Sequence, residues 1–316
     1  MRDDETPLVS VVIPTYGRAQ FLSQAVHSVL NQSYENIELL IVDDASPDPV
    51  VDQLDDLPSE QVVSVEFLRH EENKGANAAR NTGIKSATGD YIAFLDDDDR
   101  WAEEKIARQV QTFAEADPDV GVVYTWLRVE RPDGTTIHTP SSRGDIVEDL
   151  IRGQSLGQFS SVMVDTSAIA AAGMTDERFP IWQDREWFFR LATHCKFEVV
   201  PEPLTIRQKG HDDQISRGLR EKADVAYPLF LSKHRQTAAE RGRRYEQLFI
   251  SSLRLSVGKT ALYCDQYDEA RHWFFLSVAA YPFRRNSYPY LFATLGGEAT
   301  YHAARFIKRS VGRLAV

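Results

Sequence analysis

The chain has 316 residues, of which 42% are hydrophobic and 26% are charged. A chain of this length and composition can bury a sizeable core, which excludes intrinsic disorder, a collagen-like fibre and a small disulfide scaffold. Two cysteines, Cys195 and Cys264, allow at most one bridge, and the start MRDDETPLVS lacks the pattern of a secretion signal. No apolar run reaches the roughly 20 residues that span a bilayer. We therefore expect a protein of the reducing cytoplasm.

The formal charge of −11 is unevenly distributed along the chain. Residues 1–200 carry 17 basic and 36 acidic side chains, whereas residues 201–316 carry 19 basic and 11 acidic ones. An acidic surface argues against a nucleic-acid partner, which would need a basic patch. The basic C-terminal part suits anionic lipid or phosphate, and it suits a solvated surface equally well.

Residues 8–99 alternate apolar strand runs with helical stretches. The pattern predicts strands over 9–15, 37–44, 62–68 and 91–95, and helices over 18–31 and 75–87. Strands joined by crossover helices form a parallel sheet with helices on both faces. Ligands of such sheets bind outside the carboxyl ends of the strands. Two of these ends carry acids, namely Asp43-Asp44 and the run from Asp96 to Asp99.

The pattern becomes mixed after residue 100 and purely helical near residue 220. It predicts a helix over 103–116, a hairpin over 120–138, a strand over 159–165, a short helix ending at Gly173, a helix over 184–195 and a strand from 197. Residues 255–282 resemble one tetratricopeptide-like helical hairpin, which cannot bury its faces alone. We expect an α/β catalytic domain over 1–220, which binds both donor and acceptor, and a helical region over 221–316.

Four consecutive aspartates, Asp96, Asp97, Asp98 and Asp99, follow the apolar strand YIAFL. Four like charges at a strand end repel one another unless a cation or a set of donors neutralises them. Carboxylate oxygens suit Mg²⁺ or Mn²⁺, which bind through one or two carboxylates together with substrate phosphates. The alternative is a solvated acidic loop, against which the apolar strand before the run and Trp101 after it both argue.

The other strand end and the helix that opens at Gly75 supply further candidates. Asp44 can accept a hydrogen bond from a nucleobase or a ribose hydroxyl, or it can cap the next helix. The helix beginning at Gly75 presents Asn77, Arg80 and Asn81, and its N-terminus suits a phosphate. Arg80 can instead be a structural partner of one of the aspartates.

Four segments together resemble the family 2 glycosyltransferases with the GT-A fold, in order and in spacing. They are VSVVIPTYGR, LLIVDDASPD, GANAARNTGIKSATGDYIAFLDDDDRW and QDREWFFRLA, and the resemblance covers about residues 7–220. It implies a GT-A type, mostly parallel α/β sheet and an inverting transfer of a sugar. The implied donor is a nucleotide-diphosphate sugar, and the implied acceptor group is a hydroxyl or a phosphate.

The resemblance also implies roles for individual residues. The nucleoside pocket would be lined by Pro14, Thr15 and Tyr16, the base would meet Asp44 with Asp43 as its neighbour, and the nucleotide would lie beside Arg80. In the Asp-x-Asp element, Asp96 corresponds to the acid near the ribose and Asp98 to the metal ligand. The four acids in a row leave this assignment, including the part of Asp97, open by one position. His211 would complete the metal coordination or contact a phosphate, unless it is merely a surface residue.

Asp184 is the candidate general base. Family members usually carry Glu-Asp before the Trp-rich helix, and this chain has Gln183-Asp184. A base must be ionised at working pH and reach the acceptor proton. Loss of a neighbouring negative charge removes one influence that would raise the pKa of Asp184. The alternative role of Asp184 is that of a helix N-cap, and the two roles are compatible.

The sequence thus predicts an inverting, Mg²⁺- or Mn²⁺-dependent glycosyltransferase that uses a UDP-sugar and a glycan or lipid-linked acceptor. Residues 299–314 mix apolar and basic side chains and can form an interfacial helix that attaches the protein peripherally to a membrane. A terminal helix packed on the preceding repeat is the alternative. In a different class, the chain would be a non-catalytic nucleotide-sugar-binding or scaffolding protein of a glycan-assembly complex.

Overall fold

The structure is a computed structural model that describes residues 6–54, 62–208 and 218–301. In this part of the chain the strands are β1 (Val9–Thr15), β2 (Ile37–Asp43), β3 (Ser64–Arg69), β4 (Tyr91–Phe94), β5 (Asp99–Trp101), β6 (Val120–Arg131), β7 (Gly134–His138), β8 (Val162–Asp165) and β9 (Lys196–Gln208). The α-helices are α1 (Ala19–Leu30), α2 (Ala76–Ser86), α3 (Lys105–Glu115), α4 (Val147–Ile151), α5 (Thr166–Ala172), α6 (Gln183–Ala192), α7 (Tyr227–Glu240), α8 (Arg243–Tyr263), α9 (Tyr267–Ala280) and α10 (Tyr288–Ala293).

The strands form one sheet in the order β3-β2-β1-β4-β8-β6-β9-β5, with β7 paired to β6. The half made of β3, β2, β1 and β4 is parallel throughout. Every residue of β1 and β2 is buried, as expected for strands covered on both faces. The predicted α/β class is confirmed for this half, and the carboxyl ends of its strands meet at one edge of the sheet.

The other half of the sheet mixes directions. Strand β8 pairs antiparallel with both β4 and β6, whereas β6 and β9 run parallel. The predicted hairpin is formed by β6 and β7. The strand predicted over 159–165 is shorter than expected, because residues Phe159–Ser161 form a 3₁₀ turn before β8 begins at Val162.

Close packing fixes helix α2 against the sheet. A Cβ atom added at Gly83 would lie 2.3 Å from Cγ1 of Val12 in β1, so only glycine allows this approach. Helix α1 packs by its apolar stripe, whose buried members are Leu22, Ala25, Val26, Val29 and Leu30. The spacing of three and four residues between them is that of one helix face.

The acidic run does not end as a loop. Its last residue, Asp99, begins the three-residue strand β5, which pairs antiparallel with β9. Asp99 lies opposite Arg207 in this register. Arg207 is therefore part of strand β9, the strand expected from residue 197. Pairing of β5 with β9 anchors the acidic run at its last residue, Asp99.

The chain divides into two compact units. One comprises residues 1–147, 155–178 and 183–212, and the other comprises residues 148–154, 179–182 and 213–316. The second unit is helical and gathers aromatic rings around Phe230, with Phe179, Trp182 and Phe249 centred about 6 Å away (6.0, 5.9 and 5.8 Å). Among the described residues, no helix has both the length and the apolar character needed to cross a bilayer.

Candidate active site

The ends of three parallel strands bring polar side chains to one edge of the sheet. In the strand register, Thr15 lies beside Asp43 and Asp43 beside Arg69. The buried Asp43 carboxylate accepts a hydrogen bond from the backbone N–H of Ser46 (2.8 Å) and pairs with Arg69. Arg69 also donates to the Ser46 carbonyl (2.7 Å). Asp43 therefore shapes the turn that follows β2.

Asp44 organises the loop that leads into helix α2. Its carboxylate accepts from the backbone N–H groups of Lys74 (2.9 Å) and Gly75 (2.7 Å). The ring of His70 joins the same carboxylate through Nδ1 (2.6 Å) and reaches the hydroxyl of Thr82 through Nε2 (2.8 Å). Both oxygens of Asp44 thus have protein partners in the loop before α2, and the bonds to Lys74 and Gly75 precede the first turn of that helix, so they are not those of a helix cap. Contact with a nucleobase stays a prediction.

Asp97 is buried at the end of β1. It is 6% exposed, and it accepts from the hydroxyl of Thr15 (2.8 Å) and from Arg18 (3.4 Å). Burial raises the pKa of Asp97 from 3.8 to about 6, against the opposing effects of the Thr15 hydrogen bond and the Arg18 charge. When Asp97 is ionised, its burial therefore lowers the stability of the folded protein.

Asp98 is the more accessible neighbour. Its side chain is 26% exposed and lies 3.4 Å from the guanidinium of Arg18. Burial raises its pKa, the negative charge of Asp96 adds to the rise, and Arg18 and Arg207 oppose it. An additional positive charge next to Asp98 would relieve this repulsion.

Asp99 is the innermost acid of the run, at 1% exposure. One carboxylate oxygen accepts from the hydroxyl of Ser160 (2.6 Å) and from the amide of Gln158, and the other has no described hydrogen-bond partner. Burial raises the pKa of Asp99 well above its usual value. Ser160 also accepts from the backbone N–H of Asp96 (3.1 Å), so the segment before β8 fixes both ends of the acidic run.

Arg80 connects the acidic run to the helix that carries the candidate base. Its guanidinium donates to Asp96 (2.7 Å) and to the side-chain oxygen of Gln183 (3.0 Å). It lies over the ring of Phe159, 3.9 Å from the centroid, and Arg80 is only 5% exposed. The structure thus gives Arg80 the structural partner that was one of its two predicted roles, and its place beside a nucleotide stays a prediction.

Asp184 lies in the first turn of α6, one residue after the Arg80 contact. The backbone N–H of Arg185 donates to its carboxylate (2.7 Å). Burial raises the pKa of Asp184, the charge of Asp96 contributes to the rise, and the charges of Arg80 and Arg207 lower it. The two cations oppose the rise without cancelling it, so the pKa of Asp184 stays above its usual value.

The structure describes ten of the eleven predicted site residues. These are Pro14, Thr15, Tyr16, Asp43, Asp44, Arg80, Asp96, Asp97, Asp98 and Asp184. Thr15 contacts Asp97 of the run directly, whereas Tyr16 is 48% exposed after the end of β1. The eleventh, His211, lies outside the described residues, as do Lys209 and Arg217.

Several residues of the site were missed by the sequence reasoning. Arg18, Gln158 and Ser160 contact the acidic run directly. Arg18 closes the motif VSVVIPTYGR, so an unassigned cation within that motif was the available signal. Residues 159–161 were interpreted as the start of a strand, and nothing in the spacing of residues 158–161 indicates that they contact the acidic run about 60 residues earlier in the chain.

The residues present fit a divalent cation. Asp98 offers a partly exposed carboxylate whose ionised form is disfavoured first by burial and then by the charge of Asp96, and oxygen ligands are those that Mg²⁺ and Mn²⁺ prefer. Within the described ranges, no three His, Cys, Asp or Glu side chains are grouped as a metal cage. Mg²⁺ does not require such a cage where substrate phosphates supply further ligands.

Comparison with known proteins gives a family match. The model described as "Glycosyl transferase family 2" matches residues 10–172, which is just over half of the chain. The putative teichuronic acid biosynthesis glycosyltransferase TuaG of Bacillus subtilis is 36% identical over 164 residues, 50% of this chain and 62% of the relative. The Escherichia coli protein named UDP-Glc:alpha-D-GlcNAc-diphosphoundecaprenol beta-1,3-glucosyltransferase WfaP is 39% identical over 103 residues, 33% of this chain and 40% of the relative. The chain spans less than two thirds of the length of these curated relatives.

Solved structures share the fold. The S. aureus TarS 1-349 structure in complex with UDP-GlcNAc has a TM-score of 0.56 and 15% identity, and covers 89% of this chain and 91% of that chain. The mannosyltransferase PcManGT from Pyrobaculum calidifontis, in complex with GDP-Man and Mn²⁺, has a TM-score of 0.58 and 18% identity, with 96% and 87% coverage. The predicted GT-A type α/β fold with a helical C-terminal region is confirmed.

Proposed function

Because this chain belongs to glycosyl transferase family 2, we propose that it moves a sugar from a nucleotide-diphosphate donor to a glycan or lipid-linked acceptor, inverting the anomeric carbon. One observation carries the proposal. Arg80 joins Asp96 of the acidic run to Gln183, the residue before Asp184. A candidate donor site and a candidate base are therefore held together by one buried side chain.

The proposed donor is a UDP-sugar. The names of the relatives support this class, since WfaP is named for UDP-Glc and the TarS structure contains UDP-GlcNAc, although the PcManGT structure contains GDP-Man. The nucleoside would lie against Pro14, Thr15 and Tyr16, with Asp43 and Asp44 behind them. The pyrophosphate would then extend towards the acidic run.

The donor-binding acids differ in their tasks. Asp96 and Asp97 would hold the ribose side of the donor, and Asp98 would hold Mg²⁺ or Mn²⁺, with His211 as a second candidate ligand. When bound, such an ion neutralises negative charge on the leaving diphosphate. Asp99 is hydrogen-bonded to Ser160 and Gln158 and would fix the position of the acidic run without contacting the donor.

Asp184 would act as the general base. It would remove the proton from the acceptor hydroxyl while that oxygen attacks the anomeric carbon from the side opposite the diphosphate, so the new bond forms as the bond to the diphosphate breaks. Arg80 and Arg207 favour the ionised form that this step requires. An acceptor phosphate, already ionised at pH 7, would need no base.

We also propose a peripheral membrane contact for the C-terminus. Residues 299–314, most of which lie outside the described part of the chain, combine Phe306, Ile307, Val311 and Leu314 with Arg305, Lys308, Arg309 and Arg313. The name of WfaP includes a diphosphoundecaprenol acceptor, which is a lipid-linked substrate. A chain attached to the membrane surface would reach such an acceptor.

A donor screen tests the proposed function. Nucleotide release from UDP-, GDP- and dTDP-sugars is measured with Mn²⁺, with Mg²⁺ and with chelator, first with water as the acceptor and then with candidate glycans. We expect release from one donor class that chelator abolishes. Donor binding without release or transfer under any of these conditions would identify the non-catalytic alternative.

Two substitutions then separate the roles of the acids. Asp184→Asn should lower transfer to a hydroxyl acceptor by about 10²–10⁴-fold while donor affinity stays within about twofold. Asp133→Asn, in an exposed turn between β6 and β7, makes the same chemical change as a control and should leave both unchanged. Full transfer to a hydroxyl by Asp184→Asn would exclude Asp184 as the base.

A further inference from the structure

Residues 270–297 of the helical unit differ in composition from the rest of the chain. They contain eight aromatic residues and three arginines and no aspartate or glutamate. The whole chain has 47 acidic residues and 10% aromatics. The nearest acids along the chain, Glu269 and Glu298, flank the segment on both sides. A stretch of this length without acids is therefore a local departure from an acidic protein.

Part of this segment forms an exposed apolar surface, which we call the aromatic surface and define as Phe283, Tyr288, Phe292 and Leu295. Phe283, Phe292 and Leu295 are 80%, 61% and 57% exposed. Tyr288 lies between them, because its hydroxyl donates to the carbonyl of Pro282 (2.7 Å) and its ring is centred 6.2 Å from that of Phe292.

The aromatic surface is not needed to pack its own helices. Helix α9 buries Phe274 instead, whose ring is centred 5.2 Å from that of Tyr290 in α10. Ser277 and Ser287 are fully buried and joined through their hydroxyls (2.9 Å). The helices are thus anchored on one side, while large apolar groups are exposed on the other.

One arginine next to the aromatic surface is available to a partner. Arg271 pairs with Asp268 (2.7 Å), and Arg284 donates to the carbonyl of Arg152 (2.7 Å). Arg285 is exposed, and within the described residues its guanidinium has no ion-pair or hydrogen-bond partner. It lies two residues from Phe283, so a free cation adjoins the exposed rings.

We propose that the aromatic surface inserts into the headgroup region of a bilayer containing anionic lipids, with Arg285 contacting lipid phosphate. Aromatic side chains concentrate at the membrane interface, where a ring can be buried beside polar groups. A cation near the surface adds attraction to anionic lipid of about 1 kcal/mol. Absence of acids from residues 270–297 lowers the repulsion from anionic lipid, and Glu298, exposed three residues after Leu295, is the nearest acid along the chain.

This contact would be separate from that of residues 299–314 and would lie in the described part of the helical unit. Its purpose, access to a lipid-linked acceptor, rests on the proposed function. The contact itself does not, because vesicle binding is measured without donor or acceptor. Failure to bind vesicles would leave sugar transfer untouched, and failure of transfer would leave vesicle binding untouched.

Vesicle co-sedimentation of the full chain tests the proposal. The vesicles are phosphatidylcholine alone or phosphatidylcholine mixed with phosphatidylglycerol. We expect binding to the mixed vesicles that Phe283→Ser/Phe292→Ser weakens by about tenfold or more, because two exposed rings no longer enter the interface. Phe283→Leu/Phe292→Leu should retain most of the binding. Arg285→Gln should weaken it about fivefold on mixed vesicles only.

Ile137→Ser is the matched control, since Ile137 is 51% exposed in strand β7 of the other unit, and it should bind as the unchanged protein does. Circular dichroism checks that each variant is folded, and the single serine variants replace the double variant if it does not fold. Equal vesicle binding by the folded serine variants would overturn the proposal. The proposal would also be overturned if the unchanged protein were a dimer that bound no vesicles and the serine variants were monomers. The aromatic surface would then join two copies of the chain.

Discussion

Asp97→Asn should stabilise the protein at alkaline pH, although it removes a residue of the proposed donor site. Asp97 is buried and its pKa is raised from 3.8 to about 6. A raised pKa means that the folded state binds the proton more tightly than the unfolded state. Stability from this group is therefore fully present below pH 3.8 and is lost as pH rises through about 6.

The size of the effect follows from the two pKa values. A difference of about two units costs the ionised folded protein about 3 kcal/mol at pH 8, and about 1 kcal/mol at pH 4.5, where most of the folded molecules are protonated. Asparagine cannot ionise, so it removes this pH-dependent term. It also weakens the contacts to Thr15 and Arg18, which costs about 1 kcal/mol at either pH.

Urea unfolding at pH 8 and at pH 4.5, with chelator and without nucleotide, measures the difference. Asp97→Asn changes the free energy of unfolding relative to the unchanged protein, and this change should be about 2 kcal/mol more stabilising at pH 8 than at pH 4.5. Asp133→Asn, in the exposed turn, should show no such change. If Asp97→Asn changed the free energy of unfolding by the same amount at both pH values, the claim that the buried, ionised Asp97 destabilises the fold would be refuted.

Two further predictions concern the residues around the site. Gln183→Glu places a second carboxylate on the guanidinium of Arg80, which weakens the effect of Arg80 on Asp184. The acidic limb of the pH–rate profile should therefore move to higher pH, and an unchanged limb would show that Gln183 does not influence the base. Gly83→Ala pushes a methyl group against Val12 and should lower the free energy of unfolding by about 1–3 kcal/mol in urea. Lys85→Ala, exposed in the same helix, should change it by less than about 0.5 kcal/mol.

The parallel half of the sheet could be predicted because its strands and helices are strongly patterned. The run VSVVIPT is buried along its whole length in β1, and the stripe from Leu22 to Leu30 recurs at helical spacing in α1. Local patterns of this kind are set by burial alone. The same strand pattern places Asp43-Asp44 and the run from Asp96 to Asp99 at strand ends.

Features that depend on distant pairing could not be predicted in the same way. Strand β5 has only three residues. Because it begins at Asp99, the last acid of the run, the sequence pattern did not show it as a strand. Its strand character comes from pairing with β9 about 100 residues later. Likewise, the bond between Arg80 and Gln183 joins positions 103 residues apart, and no spacing in the sequence indicates it.

The division of the chain into two units could not be predicted from local sequence patterns either. Segments 148–154 and 179–182 cluster with the helices after residue 213. The hydroxyl of Tyr245 in α8 donates to Glu148 (2.6 Å), and Trp182 packs beside Phe230. These segments lie between elements of the α/β unit, so their composition alone gave no reason to assign them to the helical one.

Calorimetric titration of the protein with UDP, in Mn²⁺ and in chelator, tests the central claim most directly. The account holds that the acidic run binds the donor diphosphate together with a divalent ion through Asp98. It predicts that Mn²⁺ raises UDP affinity about tenfold or more, that Asp98→Ala removes this gain, and that Asp133→Ala keeps it. UDP affinity that is the same in chelator, or a Mn²⁺ effect that survives Asp98→Ala, would contradict the account.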